Sequence, residues 1–277
     1  MNHTDALSVL SNTDKDKLLD IKGGVIENVQ KGAISEKIKN KNYSGDIKAG
    51  SVTISRFINA ISKEYGTARS SNKGTELNNK GKVTVNLNVH KEIVEEINLG
   101  DLQKMGVLGL VERRKGNHSS QMIVTLDKAF FDEATSKATD VVLTETTIEE
   151  KLEQLIQSLE VTTNEYVDGV DREMMTLTLK PAFYGKLRNH IDTVKNTNVD
   201  SSEEEIKLFH GVKIESNHRQ TADAIIMVDG AIAQPVNVWN YDLEKIGLSN
   251  DYALELFYDY GTRAVAPDLI KKATLGA

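Results

Sequence analysis

The chain has 277 residues, 39% of them hydrophobic, enough to bury one large core or two modest ones. It contains no cysteine, which excludes disulfides and thiolate metal sites, and its net charge of -7 argues against a dedicated nucleic-acid binder. The charge is uneven: residues 1–100 carry 15 Lys and Arg against 12 Asp and Glu, a surplus of +3 that leaves -10 for residues 101–277.

Met1 to Ile21 is studded with Asp5, Asp14, Lys15, Asp16, Lys17 and Asp20 and has no apolar run. Neither a signal peptide nor a membrane span is expected there. Ser51 to Phe57 alternates apolar and polar residues, and Lys82 to His90 does so strictly, with Val83, Val85, Leu87 and Val89 on one face of a single strand. Between them, Ser62 to Gly81 holds only Tyr65, Ala68 and Leu77 as apolar side chains. The region predicts two strands joined by a long polar tip, a hairpin too polar to fold back onto a core. Because an isolated two-stranded hairpin is marginal in water, such an arm makes physical sense lying on another subunit. Lys63, Tyr65, Arg69, Lys73, Leu77 and Lys80 are its candidate intersubunit contacts.

Downstream the pattern is that of a globular α+β chain. Ile123, Leu126, Phe130 and Ala134 recur at helical spacing over Gln121 to Lys137, with Ser119 and Ser120 placed to cap the first turn. Thr147-Ile148-Glu149-Glu150 is a capping box ahead of the stripe Leu152, Leu155, Ile156 and Leu159. Glu153, outside that stripe, is expected to tolerate alanine, unlike Ile156, where aspartate should give insoluble or unfolded protein. Met175 to Lys180 alternates as a strand, and Pro181 opens a short helix with Phe183 or Tyr184, Leu187 and Ile191 inward. Ala224 to Val228, closed by Asp229-Gly230, fits a central strand buried on both faces. Leu254 to Tyr260 is the last predicted strand, ended by Gly261.

This order is similar to that of the major capsid proteins of tailed bacteriophages, the Hong Kong 97 type fold. Three places carry the likeness: the two-stranded arm from Ile47 to Val89, the unit Leu177-Thr178-Leu179-Lys180-Pro181-Ala182-Phe183-Tyr184, and the closing Tyr260-Gly261-Thr262-Arg263-Ala264-Val265-Ala266-Pro267. Each short motif is common; their arrangement along most of the chain makes the resemblance. It implies an N-terminal arm over 1–35, an extended two-stranded loop over 36–90, a peripheral domain with a spine helix over 91–145, and an axial domain with the closing strand over 146–277. It also implies a self-assembling virion component: an icosahedral shell of pentamers and hexamers, formed in the host cytoplasm, that encloses DNA held non-specifically, with scaffolding and portal proteins as partners and no membrane. A bacterial shell of the encapsulin kind, with the same fold, is the alternative, and a soluble binding module a more distant one. Some members carry a long N-terminal scaffolding segment. Here a short stretch precedes the arm, and a scaffold is expected as a separate protein. Members that cross-link join a Lys to an Asn between subunits; Lys63, Lys73 and Lys80 stand in the arm, with no partner assignable.

Enzyme chemistry finds little support in the residues. Of the six histidines (His3, His90, His118, His190, His210 and His218), only His190 with Asp192 and the pair His210 and His218 are close in sequence, without the tight ligand spacing of a zinc site. The acidic run Ser201 to Glu205 fits a solvated loop or a helix N-terminus. Neither a phosphate-binding glycine loop nor Gly-x-Ser-x-Gly occurs. The expectation is a non-enzyme without cofactor. Arg113-Arg114-Lys115, the one dense basic cluster, is expected on a solvated face or against packaged DNA phosphates.

Overall fold

The computed structural model describes residues 12–60, 62, 64–66, 81–98, 100, 104, 106–193 and 207–276. Along the chain run α1 (Asn12–Gly32), α2 (Ile34–Ile38), β1 (Ser51–Arg56), β2 (Gly81–Asn86), β3 (Val89–Ile97), α3 (Val107–Lys137), β4 (Thr139–Asp140), α4 (Ile148–Glu160) and β5 (Met175–Leu179). Then come α5 (Pro181–Thr193), β6 (Leu208–Phe209), β7 (Val212–Ser216), β8 (Ala224–Val228), β9 (Ile232–Ala233), β10 (Val236–Lys245), β11 (Tyr252–Tyr260), β12 (Arg263–Ala264) and β13 (Ile270–Ala273). They form two compact units: Met1–Lys37 with Leu87–Asp127 and Pro235–Gly261, and Ile38–Asn86 with Lys128–Gln234 and Thr262–Ala277.

The first unit is built on an antiparallel sheet of order β10-β11-β3. Alternation along β11 puts Leu254, Leu256, Tyr258 and Tyr260 on one face, all buried. On that same face, Glu95 of β3 and Tyr241 of β10 meet Arg114 and His118 of α3. Leu18, Ile21, Val25 and Val29 of α1 are buried at i, i+3, i+7 and i+11, the stripe of an amphipathic helix. Asp127, buried within α3, accepts hydrogen bonds from the Ser35 backbone at 2.9 Å and the Ser35 hydroxyl at 2.7 Å, satisfying donors at the start of α2.

The second unit centres on a six-stranded mixed sheet of order β4-β13-β8-β5-β7-β6. Every residue of β5 is buried, as a central strand covered on both faces requires. α4 buries Leu152, Leu155, Ile156 and Leu159, and Thr147 caps it, its hydroxyl oxygen accepting from the Glu150 amide at 3.3 Å while its O–H donates to Glu150 Oε2 at 2.7 Å. Pro181 begins α5, in which Leu187 is buried and the other residues expected inward, Phe183, Tyr184 and Ile191, are half-buried.

Several expectations change. The predicted strand Lys82 to His90 is two strands in different sheets, β2 pairing with β1 and β3 with β11, with the turnover at Leu87-Asn88. The predicted helix from Gln121 starts 14 residues earlier, at Val107. Ser119 and Ser120 are therefore interior, their hydroxyls donating to the carbonyls of Lys115 and Gly116 four residues back. Gly109, Gly116 and Asn117 are poor helix formers, so tertiary bonds from Glu95 to Arg114 and His118 override propensity there. Leu254 to Tyr260 belongs to β11, and β13 follows it, adding to the central sheet beside β8. The basic cluster is divided: Arg114 pairs with Glu95 and Lys115 with Glu112, leaving Arg113 exposed.

Candidate intersubunit hairpin

The second unit contains a two-stranded hairpin. β1 and β2 pair antiparallel from Ser51↔Asn86 to Arg56↔Gly81, which puts Val52 opposite Val85 and Ile54 opposite Val83. Contrary to expectation, the base of this hairpin does fold onto its own protomer. Val52, Ile54 and Val85 are buried with Ala233 and Val265, and Tyr43, Ile47 and Val83 pack alongside. A whole alternating face, with four apolar cross-strand residues, suffices for a small core that the polar tip sequence hides.

A polar clamp sits where the hairpin leaves this core. The Arg56 guanidinium donates to both carboxylate oxygens of Asp268, at 2.5 and 2.8 Å, and lies 4.1 Å from the Tyr166 ring centroid. Asn164 Nδ2 donates to the same carboxylate at 2.6 Å. Burial raises the Asp268 pKa, but Arg56 and Asn164 outweigh it and hold the carboxyl below its ordinary value. Across the pair, a Cβ on Gly81 would meet Arg56 Cβ at 2.9 Å, so glycine lets the last two paired residues close. On β2, Arg263 Nη1 donates to the Thr84 carbonyl at 2.9 Å. Sequence reading missed Arg56, Asn164, Tyr166, Asp268 and Arg263, because the clamp joins residues up to 212 positions apart and no local pattern marks it.

Of the predicted contact residues, Tyr65 is 90% exposed. Lys63, Arg69, Lys73, Leu77 and Lys80 lie outside the described residues, as does Ser201 to Glu205. Arg56→Ala is expected to leave the Asp268 carboxylate without its cation and to cost about 2–3 kcal/mol, the range for a lost charge-assisted bond. Urea unfolding checks the cost, and faster amide exchange confined to β1 and β2 checks its location.

A second polar constellation lies on α4. His190 Nε2 is 2.6 Å from Glu149, His210 Nδ1 is 2.7 Å from Glu153, and Arg172 Nη2 bonds Glu153 at 2.7 Å and Glu160 at 2.8 Å. Glu153 is thus a hub, not the inert surface residue its helical position suggests. Arg172, opposed by burial and aided by His210 and Gln157, holds its pKa down from 4.5 to about 2. A depressed carboxyl stabilises the fold fully above the unfolded value and loses that contribution as pH falls, here between 4.5 and about 2. Urea midpoints measured across that window should fall more steeply for the native chain than for Glu153→Gln. Among the described residues, no group of three or more His, Asp or Glu is placed to hold a metal, and no helix is long and apolar enough to cross a membrane.

Comparison with solved structures places this geometry. The capsid structure of the cyanophage P-SCSP1u matches with TM-score 0.58 at 11% identity, covering 88% of each chain. The capsid of an empty GTA particle matches with TM-score 0.58 at 11% identity, over 88% of this chain and 90% of that one. The virus-like particle from Pyrococcus furiosus matches with TM-score 0.58 at 14% identity, over 92% of this chain and 98% of that one. The chain therefore shares its fold with these capsid and particle structures. More narrowly, it is the α+β capsid fold of the Hong Kong 97 type, seen across tailed-phage capsids. No protein-family model and no curated protein matches the sequence.

Proposed function

We propose that the chain is the structural subunit of an icosahedral phage capsid, self-assembling through pentamers and hexamers into a shell around genomic DNA. The observation that carries this reading is the likeness to capsid structures over nearly nine-tenths of the chain, at an identity so low that only architecture is shared. The clamped hairpin supports it. A rigid base and a polar extension suit an element whose contacts come from another subunit, with Lys63, Tyr65, Arg69, Lys73, Leu77 and Lys80 as contact residues. In this reading the six-stranded sheet with α4 and α5 forms the axial part, and the three-stranded sheet forms the peripheral part. The role is structural, with no catalytic step, and scaffolding and portal proteins are its partners in the infected cell's cytoplasm and in the virion. DNA is held without sequence reading, as a chain of net charge -7 with its basic cluster divided would require.

A shell of the encapsulin kind would have the same fold and form the same kind of closed particle, and no observation favours it over the capsid. Negative-stain electron microscopy of the purified chain tests the shared part: closed, uniform particles are expected, and a monodisperse monomer under all assembly conditions would overturn it. Nuclease-protected genomic DNA inside particles from the native source separates the capsid from a shell that holds protein.

A further inference from the structure

The polar constellation on α4 brings together two histidines that are distant in the chain. His190 lies in the last turn of α5, and His210 in the turn between β6 and β7. Both imidazoles aim a nitrogen at the same carboxylate: His190 Nε2 is 2.6 Å from Glu149 Oε2, and His210 Nε2 is 3.5 Å from Glu149 Oε1. The spacing in the sequence gives no sign of this meeting, which the fold alone creates.

His210 is held in place by backbone and ring together. Its φ of 47° is left-handed, a conformation that histidine adopts more readily than most residues, and Arg172 Nη1 donates to its carbonyl at 3.2 Å. Its ring stacks on the buried Phe209, with centroids 4.1 Å apart and planes 15° from parallel. Its Nδ1 lies 2.7 Å from Glu153 Oε2. Because Arg172 holds the Glu153 carboxyl down to about 2, that oxygen only accepts. In the neutral imidazole Nδ1 therefore carries the proton, and Nε2 presents a lone pair toward Glu149. A carboxylate behind one ring nitrogen and a lone pair on the other is the arrangement of a metal-ligating histidine.

Charge and access point the same way. The constellation holds three carboxylates, Glu149, Glu153 and Glu160, and one guanidinium, Arg172, a surplus of two negative charges when both imidazoles are neutral. A divalent cation cancels it. The side chains of His190, His210 and Glu149 keep 34–40% of their surface exposed, so an ion can enter and water can complete its shell. As placed, the three groups are closed on one another by hydrogen bonds, without room for an ion. Tetrahedral zinc with nitrogen and oxygen ligands sets its ligand atoms about 3.4 Å apart. The His210–Glu149 separation of 3.5 Å is already close to that, and His190 Nε2 has to withdraw from its 2.6 Å contact by less than about 1 Å. We propose that His190, His210 and Glu149 form a zinc site, with Glu153 orienting His210 and water in the fourth position. The ion ties the end of α5 and the β6–β7 turn to α4, a removable cross-link in a chain that has no cysteine. The site is independent of the shell reading.

Zinc titration into the chelator-treated chain tests it, with His3→Ala as the background so that the N-terminal histidine does not compete. Calorimetry should show one equivalent per chain, and cobalt as a stand-in should give the visible absorption of a tetrahedral ion, which zinc then removes. His190→Ala, His210→Ala and Glu149→Gln should each weaken zinc binding by about tenfold or more, and Glu153→Gln, which leaves all three ligands, by about tenfold through His210. His218→Ala, at an exposed histidine outside the constellation, should bind as the background does. Zinc should also raise the thermal midpoint of the background chain and leave that of His210→Ala unmoved, a readout that holds where the variant is less stable. Circular dichroism confirms that each variant is folded. Absence of the cobalt band in the background chain, or equal zinc affinity in His190→Ala, His210→Ala and the background, overturns the proposal. Particle formation is read separately by microscopy: failure to take up zinc beside intact particles sinks the metal site alone, and a zinc-binding monomer that never assembles sinks the shell reading alone.

Discussion

Ile156→Asp is expected to abolish the folded protomer. Ile156 is fully buried in α4 between Leu152, Leu155 and Leu159. The substitution removes about 2–3 kcal/mol of apolar burial and places a carboxylate where no cation stands, at a further cost of several kcal/mol. Against a total stability of about 5–15 kcal/mol for a domain, the sum exceeds the margin. The variant should appear in the insoluble fraction, and any soluble part should lack a cooperative urea transition. Gln157→Ala, on the solvent side of the same helix, should stay soluble and cooperatively folded, losing only its hydrogen bond to Glu153. Glu153→Ala, which the helical wheel alone nominates as the neutral comparison, should not, because it strips Arg172 and His210 of their shared carboxylate. A soluble, cooperatively folded Ile156→Asp protein would mean that α4 packs otherwise than described.

What the sequence made legible follows from how local each signal is. α4 could be read outright, since its cap, its first turn and its stripe lie within thirteen residues of one another. β5 was readable from its alternation, and β8 as a short apolar run closed by turn residues. β13 was not: Ile270-Lys271-Lys272-Ala273 has two lysines and no alternation longer than four residues, and it is a strand because β8 on one side and β4 on the other complete its hydrogen bonds. α1 carried a regular stripe from Leu18 to Val29, spaced over three turns and masked by the charges between. The break at Leu87-Asn88 had no sequence marker, because the alternation runs straight through it; only the partners, β1 before and β11 after, divide the two strands. The hairpin's existence was therefore legible and its anchorage was not. Arg56 and Asp268 carry ordinary residue types at positions 212 apart, and their pairing is decided by the fold.

Removing the hairpin tip should separate folding from assembly. The register ends at Arg56↔Gly81, so replacing residues 57–80 with Asn-Gly closes the hairpin as a two-residue turn of the kind that matches strand twist. Apart from the bond from the Asn59 N–H to the Glu165 carbonyl, what holds the base remains: Val52, Ile54 and Val85 in their small core, and Arg56 on Asp268. The protomer should therefore keep its circular dichroism spectrum and a urea midpoint close to that of the native chain. Shells should be absent. The removed segment carries the cations and the exposed Tyr65, and in a symmetric assembly each lost contact is lost at every equivalent interface at once. Exposed ion pairs contribute only about 0–1 kcal/mol each, so a few would not hold two copies together in dilute solution. Repeated around a closed shell, the same contacts decide between particle and free subunit. Sizing chromatography and negative-stain microscopy give the outcome, and particles of normal diameter from the shortened chain would show that the hairpin tip is dispensable for assembly.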